Sequence, residues 1–116
     1  MSINNNGISP LIWGSSMWNM LHMIASAYPE TPTEMDKQNF YNFFVSLGHV
    51  LPCHFCKKHF KQTLSSLNFN INVFDSQETI FKFVFDLHNC VNARLKKPLA
   101  DDYFYIRHKY ELYKQL

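Results

Sequence analysis

Cys53 and Cys56 stand three residues apart in Leu51-Pro52-Cys53-His54-Phe55-Cys56-Lys57-Lys58-His59-Phe60, after a proline and before a helical pattern. That places them where a helix begins. The free backbone N–H groups and the helix dipole there favour a thiolate. A lowered thiol pKa turns such a pair into a disulfide-exchange centre rather than a structural bridge. His54, Lys57, Lys58 and His59 add positive charge to the same turn. The spacing also suits zinc, held by Cys53, Cys56, His59 and one of His49, His54 or His88. Redox chemistry ranks ahead of metal, and both readings stay open on the motif alone.

Composition narrows the classes. A chain of 116 residues is one domain with a single core. With 11 Lys and Arg against 9 Asp and Glu, nothing marks nucleic acid as a partner. Only three glycines leave no phosphate-cradling glycine loop. Aromatic residues make up 16%, enough for a helical core or for one that also surrounds a flat cofactor. Three cysteines (Cys90 is the third) argue against a disulfide-stapled secreted scaffold. No apolar run is long enough for a membrane span, and Met1 to Gly7 lack the pattern of a signal peptide. The expected compartment is the cytosol, where a catalytic disulfide is allowed.

The elements that must position the pair read as helices. Residues 1–8 are expected to be a disordered lead and 9–116 the domain. Ser9-Pro10 predicts a helix start; Met17, Trp18, Leu21, Ile24, Ala25 and Tyr28 then recur at helical steps, with Gly14 inside the helix or at a break. Trp18 and His22 share a face. Thr33 with Asp36 predicts a capped second helix with an apolar face of Met35, Phe40, Phe43, Phe44, Leu47 and Leu51. The third helix starts at the cysteines. Residues 69–74 alternate like a strand but have no partner strand, and are expected as an extended connector tucking Phe69 and Ile71 against the helices. Asp75 with Glu78 predicts the cap of a fourth helix, which carries His88 and Asn92 on one face and is stopped by Pro98. Asp101 or Asp102 starts a last helix. A thioredoxin-like reductase needs alternating strands and helices, which this chain lacks. Haem attachment fails because Lys57, not histidine, follows Cys56.

Three ordered motifs together resemble the Erv/ALR family of FAD-linked sulfhydryl oxidases. They are Trp13-Gly14-Ser15-Ser16-Met17-Trp18-Asn19-Met20-Leu21-His22, then Pro52-Cys53-His54-Phe55-Cys56, then His88-Asn89-Cys90-Val91-Asn92-Ala93-Arg94-Leu95-Lys96-Lys97-Pro98. The match runs from about Trp13 to Pro98 and is most like small viral members. It implies an all-α fold, a four-helix bundle with a short additional C-terminal helix and FAD held at one end. It also implies catalytic Cys53 and Cys56, with Cys53 open to the substrate and Cys56 beside the flavin. Gly14, Trp18, His22, His88, Val91, Asn92, Leu95 and Lys97 would bind the cofactor, and no metal is expected. The implied partners are a protein dithiol, molecular oxygen (reduced to hydrogen peroxide) and a second copy of the chain, in the host cytoplasm or the virion.

The chain departs from the family in three places. It lacks a structural disulfide between the third and fourth helices, and it lacks a shuttle cysteine pair in a tail. It also lacks the C-terminal Trp at the adenine end, for which Tyr103, Tyr105 or Tyr110 is the substitute. Without a shuttle pair, direct attack on Cys53 is the shortest route for electrons. Cys90 is expected to be a buried, inert thiol.

Overall fold

The structure, a computed structural model, describes residues 6–116. Residues 1–5 of the lead lie outside the described residues. The fold is all-helical: α1 (Pro10–Ser26), α2 (Glu34–Val50), α3 (His54–Ser66), a 3-10 turn (Ile71–Phe74), α4 (Gln77–Arg94) and α5 (Tyr103–Tyr113). The helices α1 and α4 pack along each other, α2 lies on α3, and α5 lies across α1 and α4.

Local chemistry sets the starts. Ser9 Oγ accepts the Leu11 N–H at 3.2 Å and Pro10 takes the first helical position. Gly14 lies inside an unbroken α1. Thr33 and Asp36 form a capping box, Thr33 Oγ1 accepting the Asp36 N–H at 3.0 Å and Asp36 Oδ2 the Thr33 N–H at 2.9 Å. The start of α4 differs from the expected Asp75 and Glu78: Ser76 is the cap and Thr79 completes the box. All these residues can cap, and only the path of the chain out of the 3-10 turn decides between neighbouring candidates.

Residues 71–74 are that turn and not an extended connector. Asn70 accepts the Asn72 N–H at 2.8 Å, which bends the chain locally. Phe74 is thereby buried completely while Ile71 stays exposed. The ends of α3 and α4 share a second device. Asn68 and Lys96 take positive φ (55° and 58°), and Phe69 N–H and Lys97 N–H reach back to the Leu64 and Asn92 carbonyls at 3.0 and 2.8 Å. The helix α4 therefore ends at Arg94, before Pro98 is reached.

The core is aromatic. Phe44, Phe69, Phe74 and Phe83 meet where α2, the 3-10 turn and α4 converge. Tyr28, buried at the end of α1, stands edge-on to Phe40 and donates its O–H to the Phe74 carbonyl at 2.6 Å. Met35 and Phe43, expected on the apolar face of α2, are exposed (74% and 40%). Their periodicity suits that face, but the helix turns Phe44 inward instead.

Candidate active site

Cys53 is the N-cap of α3, with Pro52 fixing the chain just before it. Its Sγ accepts the Cys56 N–H at 3.2 Å, and the two cysteines form a disulfide with Cα atoms 5.1 Å apart. Cys53, expected to be the open sulfur, is only 5% exposed, whereas Cys56 is half-buried. The cover is residues 6–8. Gly7 pairs with Cys53 in an antiparallel bridge, Ile8 N–H donates to the Pro52 carbonyl at 2.6 Å, and His54 N–H donates to the Asn6 carbonyl at 2.9 Å.

A cavity of about 550 Å³ opens between this helix start, α1, the second half of α4 and α5. Gly14, Trp18, His22, Cys53, Cys56, His88, Val91, Asn92, Leu95 and Lys97 all line it. The fold thus brings the two cysteines and the eight residues expected to bind the cofactor to one place. Trp18 and His88 stack at 4.3 Å with planes 10° apart, and His22 stacks on Tyr110 at 5.1 Å and 22°. The rings make a continuous wall. Tyr110 alone of the three candidate tyrosines lines the cavity, and its O–H donates to Asn19 Oδ1 at 2.8 Å.

His22 Nε2 and His88 Nδ1 share a hydrogen bond of 3.1 Å. Both rings are held neutral, each lowered to about 4. Burial is the main cause for both, followed by His88 and Lys109 for His22 and by Lys97 for His88. Burial likewise raises Tyr110, with Tyr113 adding to it.

Three features show what the cavity can hold. Arg94, Lys97 and Lys109 line it, and no carboxylate does among the described residues. His22 Nδ1 is buried without a partner. Gly14 is buried, yet a Cβ there would meet no atom within 4 Å, so it would stand in the cavity. The space suits a flat, ring-bearing ligand with an anionic, phosphate-like part.

Sequence reasoning missed Arg94 and Lys109 as lining cations, and Trp13, Met17, Phe60, Phe85 and Ile106 as apolar walls. Arg94 was legible only as a letter inside the third motif. Its guanidinium donates to Thr63 Oγ1 of α3 at 3.0 Å, which a sequence does not reveal. Asn89 clamps the chain beyond α4, its amide donating to the Ala100 carbonyl at 2.7 Å and accepting the Ala100 N–H at 2.9 Å. Cys90 is free and half-buried rather than buried, and lies outside the lining. Among the described residues no three His, Cys, Asp or Glu side chains converge as a metal requires, so the zinc reading has no support.

Residues 15–111 match the Erv1 / Alr family. The chain is 39% identical over 92 residues to the probable FAD-linked sulfhydryl oxidase R368 of Acanthamoeba polyphaga mimivirus, over 79% of this chain and 64% of that one. It is 36% identical over 91 residues to the putative FAD-linked sulfhydryl oxidase 096R of Invertebrate iridescent virus 3, over 78% of this chain and 61% of that one. The chain thus spans somewhat under two thirds of these curated relatives. The crystal structure of the FAD binding domain of Erv1 from Saccharomyces cerevisiae superposes with a TM-score of 0.79 at 27% identity, over 89% of this chain and 94% of that one.

Proposed function

Because the chain belongs to the Erv1 / Alr family, we propose that it is an FAD-linked sulfhydryl oxidase that makes disulfides in protein substrates. One juxtaposition carries the reading: the Cys53–Cys56 disulfide borders the same cavity as the Trp18, His22 and His88 rings.

The cavity suits FAD. Trp18, His22, His88 and Tyr110 offer ring faces, Val91 and Leu95 an apolar floor, and Asn92 an amide. Arg94, Lys97 and Lys109 would offset the diphosphate. Gly14 leaves room for the ligand. When bound, FAD supplies a two-electron acceptor that takes the pair's electrons and passes them to oxygen, giving hydrogen peroxide.

The protein's own part is thiol exchange. A substrate thiolate attacks Cys53 Sγ, forming a mixed disulfide and expelling Cys56 as a thiolate. The substrate's second thiolate then attacks the substrate sulfur of that bond, closing the substrate disulfide and releasing Cys53 as a thiolate. Two electrons have then moved from the substrate to the Cys53–Cys56 pair. Cys53 keeps 5% of its surface open, so entry needs the cover of residues 6–8 to give way or the substrate to reach that margin. At the N-cap of α3 the free N–H groups and the dipole stabilise the anionic sulfur.

A homodimer belongs to the same reading. The exposed Leu11, Ile12, Met20 and Met23 of α1 and Phe104 and Tyr105 of α5 supply apolar surface for it. Residence in the cytoplasm of an infected cell, or in a virion, is part of the same proposal, and the viral relatives support it.

The test is a visible spectrum of the purified protein, followed by oxygen uptake with a dithiol peptide. Flavin absorption, with peroxide formed in step with thiol loss, is expected. A protein that stays colourless after incubation with FAD, or that retains full turnover as Cys53→Ser, would sink the reading.

A further inference from the structure

We infer that Asn6 is a positioning residue for thiol exchange, its side-chain amide held against Cys53 so that an N–H donor meets the sulfur when it is anionic. The inference rests on the reading of Cys53 as the sulfur that bonds to substrate. Asn6 Nδ2 lies 3.8 Å from Cys53 Sγ. Its Oδ1 accepts the Phe55 N–H at 3.2 Å. A backbone N–H can only donate, so this bond fixes which end of the amide meets Phe55 and turns the NH₂ toward the sulfur.

The backbone holds the amide there. Asn6 O accepts the His54 N–H, Ile8 N–H donates to Pro52, and the Ile8 carbonyl accepts the Trp13 Nε1–H at 2.8 Å, which ties residues 6–8 to α1. Gly7 permits the approach. Its φ is +99°, and a Cβ there would collide with the Pro52 carbonyl oxygen. Cys53 Sγ therefore sees two converging donors, Asn6 Nδ2 and the Cys56 N–H.

Donors to a thiolate strengthen as the charge develops. Cys53 becomes a thiolate when the substrate disulfide closes, and a lower leaving-group pKa speeds that step. The other titratable or charged groups around it are His54, Lys57, Lys58 and His59 of α3, His22 of α1, His88 and Arg94 of α4, Lys97 beyond it, and Lys109 and Tyr110 of α5; among the described residues no carboxylate lines the cavity. All of them persist when Asn6 alone is changed.

The experiment follows alkylation of Cys53 by iodoacetamide across pH, in the flavin-loaded full chain carrying Cys56→Ser and Cys90→Ala. Asn6→Ala removes the amide contacts to Cys53 and to Phe55. Asn6→Asp keeps an acceptor in the same place for the Phe55 N–H but loses the donor to sulfur, and its negative charge can only raise the midpoint further. The midpoint of the pH profile should rise by about one unit in both variants, a roughly fivefold loss of thiolate at the parent's midpoint. Midpoints unmoved in both would overturn the inference. So would an aspartate variant that matches the parent while alanine shifts, since capping of Phe55 would then explain everything. Oxidase turnover is not read in this assay, so its result is separate from the test of the function itself.

Discussion

The rings of Trp18 and His88 lie face to face, centroids 4.3 Å apart and planes within 10°, so α1 and α4 are joined by one stacked pair at the cavity wall. His88 also shares the 3.1 Å hydrogen bond with His22. Replacing His88 with alanine removes both contacts and leaves His22 without a partner on either nitrogen. Stacking and a part-buried hydrogen bond together are worth about 1.5–2.5 kcal/mol, so flavin retention should weaken by about tenfold to a hundredfold. Flavin absorbance after dialysis, beside unchanged helical circular dichroism, measures it. Undiminished flavin would remove His88 from the binding wall.

The same pair makes stability depend on pH. Both histidines titrate at about 4 in the fold against an ordinary 6.5, because burial disfavours their cations. Between those values the unfolded chain binds more protons than the folded one. Stability should therefore be complete above pH 6.5 and fall as pH drops toward 4. Thermal melts from pH 8 to pH 4 test this, and a His22→Phe variant should flatten the acid limb. A melting temperature constant across that range would contradict it.

The two redox cysteines should fail differently. Cys56→Ser should keep flavin and trap substrate on Cys53 as a mixed disulfide, with no electrons delivered. Cys53→Ser should leave Cys56 as a lone thiolate in the cavity and give a long-wavelength absorption band with the bound flavin near neutral pH. Non-reducing gels and spectra separate the two, and the band in the opposite variant would reverse the roles.

Cys90 is free and lies outside the cavity lining. The Cys90→Ala protein should keep its flavin content and turn over within about twofold of wild type, since only a small half-buried side chain is trimmed. A stopped enzyme with flavin retained would reveal a redox part for this thiol.

Tyr28→Phe separates scaffold from site. It deletes the buried O–H that meets the Phe74 carbonyl at 2.6 Å, outside the cavity lining. Leaving that carbonyl unpaired should cost about 1–2 kcal/mol, a fall of about 4–10 °C in melting temperature. Flavin content and turnover at 25 °C should hold. A loss of flavin without loss of stability would mean that the core and the cavity are coupled.

By itself the sequence determined the helical class and most helix starts. A cap such as Thr33 with Asp36, or Ser9 with Pro10, is decided within one turn of chain, so spacing suffices. It also marked the ten residues that converge on the cavity, because their pattern repeats a family's. Where neighbours competed, it erred: Ser76 rather than Asp75 caps α4, and residues 71–74 turn instead of extending. Only the tertiary structure decided the rest. Arg94, Lys109 and Tyr110 face the cavity because α4 and α5 are turned that way by their packing. The cover over Cys53 joins residues 6–8 to residues 52–54 through backbone groups. Every residue but proline carries both such groups, so no side-chain pattern announces the pairing; it exists only once α1 and α3 are in place.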